Sequence, residues 1–272
     1  MNCSAAGKRK RSCRSLLWGP YLDLSELAIY IALGFVAQLI DGALGMAYGL
    51  ISTSALLATG APPAIASASI HAAEMVTTGL AAGSHVWNRN VHWPLFRRLV
   101  PAGVAGGVVG AFLLTRLPEQ PVKYFVVIYL TAMALLILRR LFRPTGTKTS
   151  AIGAIRIGLG GGFLDALGGG GWGPMVTSTL IARGDEPRHS IGSVSASEFF
   201  VTLAISMTFV ATLDFSRYGQ IVLGLIIGGA IAAPFAGFLA RILPQRVLMG
   251  IVAVVVIALA AYNFIGLLGP QT

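Results

Sequence analysis

The 272-residue sequence is poor in charge and nearly free of cysteine. Charged residues make up 11% of it, against about 25% in a soluble domain. That scarcity excludes an ordinary water-soluble fold. The two cysteines, Cys3 and Cys13, both lie near the N-terminus, so neither a disulfide core nor a metal cage is indicated. No His-Glu-x-x-His occurs and no apolar segment holds a cysteine, which leaves an intramembrane enzyme without a nucleophile or a metal set. Nucleotide motifs are missing too. No glycine run ends in Gly-Lys-Ser/Thr, and Gly158-Leu-Gly-Gly-Gly-Phe163 lacks the third glycine and a preceding strand. No cofactor is implied.

What the chain has instead is apolar length and glycine. Hydrophobic residues reach 55%, mean hydropathy is +0.77, and 34 residues are glycine. A span needs about 20 apolar residues, so the composition specifies an all-α polytopic membrane protein. Glycine at this level suits helices that pack closely or break within the bilayer. The net charge of +10 falls mostly in connecting segments. It serves topology and contact with anionic headgroups rather than nucleic acid.

One stretch occurs twice. Asp41-Gly-Ala-Leu-Gly-Met-Ala-Tyr-Gly49 is matched 124 residues later by Asp165-Ala-Leu-Gly-Gly-Gly-Gly-Trp-Gly173. The same offset pairs Gly45 with Gly169, Thr53 with Thr177, Ser54 with Ser178, Pro63 with Pro187, Ser69 with Ser193 and Glu74 with Glu198. Two acids per half, embedded in apolar sequence at identical spacing, point to an internal duplication. The expected organisation is a basic tail over 1–23, a first transmembrane repeat over 24–142, a linker over 143–151 and a second repeat over 152–272. Each repeat has four segments. The first, over about 27–59 and 155–181, is interrupted by glycine and reads as a broken or re-entrant helix, which survives at membrane depth only where protein or a watery cavity satisfies its backbone. A polar-studded helix follows, over about 64–87 and 191–212. Two plain spans complete each half, over about 99–115 and 124–138, then 219–240 and 247–267.

A carboxylate at mid-membrane costs at least about 2.5 kcal/mol, so buried acids are functional candidates. Asp41 and Asp165 stand before the glycine-rich breaks, where the competing role is capping. Glu74 and Glu198 lie deeper in their helices, and Ser67, His71 and Glu74 share one helical face. His71 beside Glu74 suits a proton relay, although its repeat partner is Ser195. The run from Gly168 to Pro174 is the sharper feature. Pro174 suits the first turn of a half-helix, so Gly169, Gly171, Trp172 and Gly173 would present free N–H groups and a positive dipole end to an anion. The hydroxyls of Thr53, Ser54, Thr177, Ser178, Ser69 and Ser193, with Gly45 and Gly49 in the first half, would extend that site. Paired broken helices meeting at the midplane characterise secondary transporters.

These residues carry a resemblance. The glycine-rich break ending in Thr53-Ser54, Gly60-Ala-Pro-Pro63, the Ser69-Ile-His-Ala-Ala-Glu74 helix, and the ends Arg116-Leu-Pro118 and Arg241-Ile-Leu-Pro244 resemble the sulfite exporter (TauE/SafE) family over residues 25–268. The resemblance implies a carrier of sulfite, sulfoacetate or other organosulfonates in a bacterial inner membrane. Asp41, His71, Glu74, Asp165 and Glu198 would then hold the protons that offset the anion's charge and couple transport. An anion channel, or a carrier of another small anion such as a carboxylate, is the alternative. The partners expected are the anion, protons, the lipid bilayer and a second copy in a homodimer.

Topology divides the readings. Breaks that cross once give four spans per half and parallel repeats, whereas re-entrant hairpins give three and inverted repeats. Inversion is preferred because alternating access follows from it. The basic cluster over 8–14 favours a cytoplasmic N-terminus, and inversion makes Arg183, Arg188, Arg241 and Arg246 cytoplasmic.

Overall fold

The computed structural model describes residues 24–44, 46–140, 151–182, 185, 187–214, 216, 218–242 and 245–268. The basic tail with Cys3 and Cys13, most of the linker, and Gly45 lie outside them. The described residues form α1 (Leu24–Leu44), α2 (Tyr48–Ala58), α3 (Pro63–Trp87), α4 (Trp93–Arg116), α5 (Glu119–Arg140) and α6 (Ala151–Gly168). A π turn (Trp172–Thr177) then leads into α7 (Ser178–Ala182), followed by α8 (Pro187–Thr212), α9 (Gly219–Ile242) and α10 (Gln245–Leu268). No strand occurs among the described residues. Helices α1, α4, α5, α8 and α10 are each long and apolar enough to cross a membrane. This is an all-helical, multi-pass membrane protein.

Proline marks several starts. Pro63 opens α3 and Pro187 opens α8, where the missing N–H costs nothing. Pro94 does the same for α4, which begins at Trp93 rather than near residue 99 as the apolar run alone implies. The breaks are short. α1 stops at Leu44 and α2 begins at Tyr48, while α6 stops at Gly168 and the π turn begins at Trp172.

Glycine seams set the helix directions. Tyr30 of α1 meets Gly224 of α9 and Gln38 meets Gly229, so α1 and α9 run in the same direction. A Cβ on Gly34 would lie 2.5 Å from the Leu225 carbonyl oxygen, so this seam admits no side chain there. Leu99 of α4 meets Gly158 of α6 and Gly110 meets Phe163, which makes that pair parallel as well. Helix α8 also runs with α4, since the His92 amide bonds to Ser193 Oγ at 2.8 Å and Gly107 meets Ile205. Against α3 it is antiparallel: the His71 and Phe209 rings lie 6.2 Å apart and Gly79 meets Phe199. Finally, Tyr124 near the start of α5 donates to the Leu267 carbonyl at the end of α10.

Helices α4, α6 and α8 thus run in one direction and α3 in the other, while α1 runs with α9. In α3, Glu74 stands 11 residues after Pro63, about 16 Å along a helix whose full length is about 37 Å. Glu198 stands equally far into α8. Both acids therefore lie near mid-depth.

Candidate functional site

Two backbone breaks meet at the centre. Gly49, in the first turn of α2, packs directly on the Gly169–Gly170 backbone, and Thr53 Oγ1 donates to the Gly169 carbonyl. Gly169 has φ 66° and Gly170 φ 144°, conformations that favour glycine. The two half-helices thus abut N-terminus to N-terminus.

Each break is capped by its own aspartate. Asp41 Oδ1 accepts from the Ala47 amide at 2.6 Å and the Tyr48 amide at 3.0 Å. Asp165 Oδ1 accepts from Gly171 at 2.6 Å and Trp172 at 2.9 Å. Every one of these partners recurs 124 residues on. Of the amides that the sequence offers to an anion, those of Gly171 and Trp172 therefore already hold a resident carboxylate, and that of Gly169 donates to the Asp165 backbone carbonyl at 2.8 Å. Capping, the competing role for Asp41 and Asp165, is what both residues do in this conformation.

Asp165 has a second partner. Its Oδ2 lies 3.2 Å from His71 Nε2, with both side chains buried. The proton on the other ring nitrogen can be placed. His71 Nδ1 is 2.7 Å from the Ser67 carbonyl oxygen, which only accepts, so Nδ1 carries a proton and donates it. Ser67 Oγ is committed to the Ala166 carbonyl at 2.6 Å. One further proton then lies between His71 Nε2 and Asp165 Oδ2, on either atom. In the other half-site Ser195 stands where His71 does, so Asp41 has no imidazole in the equivalent place.

The space between the breaks is water-sized in this conformation. It is lined by the carboxylate-bearing Asp41, Glu74, Asp165 and Glu198, by Gly49, Gly171, Trp172 and Gly173, and by Met46, Tyr48 and Pro174 among others. The Gly49 N–H interacts with the Glu74 carboxyl group. Among the described residues, no lysine or arginine lines the space. Among the described residues, no three His, Cys, Asp or Glu side chains are placed to hold a metal ion.

Other sequence candidates lie off this lining. Ser69 Oγ donates to its own helix at Ile65, and Ser193 Oγ donates to His189. Thr177 and Ser178 are buried in the second half-helix, and Ser54 gives its carbonyl to Asn263. Beside each glutamate, however, a threonine was not singled out. Thr78 donates to the Glu74 carbonyl at 2.6 Å and Thr202 to the Glu198 carbonyl at 2.9 Å. The sequence signal was there: a Thr four residues after each Glu, at the common offset. Tyr48 and Trp172, aromatic at the first position of each half-helix, are a second such pair.

Residues 30–263 match the family model described as Sulfite exporter TauE/SafE. The chain belongs to the TauE/SafE family. It is 38% identical over 231 residues to the "Probable membrane transporter protein YtnM" of Bacillus subtilis (strain 168), covering 80% of this chain and 76% of that protein. No solved structure matches it. The TauE/SafE assignment and this relative make the chain a membrane transporter.

Proposed function

We propose that this TauE/SafE protein is a secondary active carrier that moves small sulfur-containing anions, such as sulfite, sulfoacetate or other organosulfonates, across a bacterial inner membrane together with protons. The observation that carries the reading is the double use of Asp165, which caps a half-helix with one oxygen and shares a proton with His71 through the other. An anion and the resident carboxylate compete for the same amides. A proton placed on Asp165 weakens its hold on Gly171 and Trp172, freeing them for a sulfonate or sulfite oxygen. Anion entry is thereby tied to proton entry. The lining supports this: the side chains with charge to offer there among the described residues are the carboxyl groups of Asp165, Glu74, Glu198 and Asp41, and protons on them offset the charge of an incoming anion.

The helix directions support two inverted repeats of three crossings and a re-entrant hairpin each, joined by the linker. The face holding Arg89, Arg97, Arg98, Arg139, Arg156 and Arg246 is the cytoplasmic one by the positive-inside rule. It is bordered by the exposed Trp87 and Trp93, as at a membrane interface. This places Leu24 on the external face, against the preference of the basic tail. A cysteine introduced at Asp214 should be labelled by an impermeant reagent in intact cells, and one at Asp185 only in inverted membrane vesicles. Labelling from one side removes the inverted arrangement.

The decisive functional test is counterflow. Proteoliposomes preloaded with unlabelled sulfoacetate should transiently accumulate labelled sulfoacetate from outside. Conductance without accumulation means a channel. In the same vesicles, Glu74→Gln and Glu198→Gln should fold yet flatten the pH dependence of transport, because each removes a proton site at mid-depth. An unchanged pH profile in both variants sinks the role assigned to these acids.

A further inference from the structure

We propose that Tyr129 of α5 is a positioning residue for the second half-site: its hydroxyl takes Asp165 as a hydrogen-bond partner when the Gly171 and Trp172 amides turn away to bind the anion. The inference rests on the carrier reading above and adds a residue from outside the two breaks.

Tyr129 is buried, and its hydroxyl has no hydrogen-bond partner among the described residues. The ring lies across the second break. A side chain at Gly168 would strike its edge, and a Cβ at Gly171 would fall on the hydroxyl oxygen itself. Asp165 lies within electrostatic reach of the same hydroxyl. Tyr129 and the Asp165 carboxylate thus flank one residue, Gly171, the phenol against its Cα and the carboxylate on its N–H. Phe125 stacks on the ring at 6.2 Å and 8°, which fixes how the hydroxyl is aimed.

An unmade hydrogen bond in a dry interior is costly, and phenylalanine would fill the same place without it. The hydroxyl is therefore satisfied in a different conformation. The adjoining π turn is where such a conformation is placed, since π turns inside α-helices lie frequently at functional sites. When that turn relaxes, the Gly171 and Trp172 amides leave Asp165. A phenol both donates and accepts, so Tyr129 can bond Asp165 whether or not it carries a proton. The groups facing Asp165 are His71 on α3, Tyr129 on α5, and Glu74, Glu198 and Asp41 around the central space. Of these, Tyr129 brings a buried hydroxyl with no hydrogen-bond partner among the described residues. In the first break no phenol takes this place; Leu44 and Ala47 stand where Gly168 and Gly171 do, so the device belongs to the half that carries His71.

The test is Tyr129→Phe in the full-length protein. Its thermal midpoint should equal or exceed that of the wild type, while counterflow of sulfoacetate falls about tenfold and its pH profile shifts. Wild-type counterflow with an unchanged profile overturns the proposal, as does lost counterflow accompanied by a lowered midpoint, which is a packing role. Amide hydrogen exchange over residues 168–177, compared at one acidic pH, separates the two hypotheses. If the wild type shows no counterflow, the carrier reading fails by itself. Slower exchange in Tyr129→Phe then upholds the Tyr129–Asp165 partnership, and equal exchange removes it.

Discussion

Asp165→Asn should abolish proton-coupled uptake while leaving the protein folded, and Asp165→Ala should do neither cleanly. The two variants separate the two jobs of one side chain. An asparagine oxygen still accepts from the Gly171 and Trp172 amides, so the break keeps its cap. What it loses is the ionisable oxygen facing His71. With no proton to share there, the resident acceptor no longer weakens on acidification, and the amides are not released to the anion. Counterflow should fall at least about a hundredfold, the scale of removing one hydrogen bond made to a charged group, and what remains should be flat with pH. Alanine removes the acceptor altogether and strands two buried amides and an imidazole. That costs about 3 kcal/mol, and the purified variant should aggregate or melt early. The contrast reads out as counterflow against pH for asparagine and as a thermal midpoint for alanine. Asp165→Asn with wild-type pH dependence would end the claim that this residue carries the coupling proton. His71→Ser, which copies the other half-site, should fall between wild type and Asp165→Asn.

Much of this arrangement was legible because the chemistry sits inside the repeated stretch. The offset of 124 residues joins Asp41 to Asp165, Glu74 to Glu198 and Pro63 to Pro187, and in the structure these six residues occupy equivalent places. The breaks were legible for a related reason. Glycine costs a helix about 1 kcal/mol per residue, so the clusters that follow Asp41 and Asp165 let one helix end and another begin. Less legible was who occupies the amides. An aspartate six or seven residues before a half-helix is too far upstream for a local capping pattern, yet the backbone turns back and brings it there. Ser69 and Ser193 stay off the central lining for a general reason: in a helix a serine returns its proton to the carbonyl three or four residues earlier, as both do. Tyr129 could not be found at all from the sequence. It comes from a plain apolar span, and only packing brings it against Gly168 and Gly171.

Gly170→Ala should be the most damaging single methyl group in the protein. Residue 170 combines two demands that no other side chain meets. Its φ of 144° is open to glycine but strained for alanine, at about 1–3 kcal/mol. Its missing side chain is also where Gly49 crosses: a Cβ there would lie 2.6 Å from the Leu50 amide nitrogen and closer still to the Gly49 backbone. Backbone cannot yield as a flexible side chain does, so the overpacking adds about 1–3 kcal/mol. Together these lower the thermal midpoint by on the order of 10 °C. The functional consequence is more specific than instability. The Gly49–Gly170 crossing and the bond from Thr53 to the Gly169 carbonyl join the two half-helices across the centre. Forcing them apart opens the water-sized space and should replace counterflow with leak. Gly160→Ala is the matched control. Its Cβ would meet only Met175 Cε, at 3.6 Å, an ordinary contact, and alanine favours the helix by about 1 kcal/mol. It should therefore keep or raise the midpoint and transport normally. If both variants melt together, the damage is a general intolerance of these helices. If Gly170→Ala alone fails, the crossing of the two breaks is what holds the centre closed.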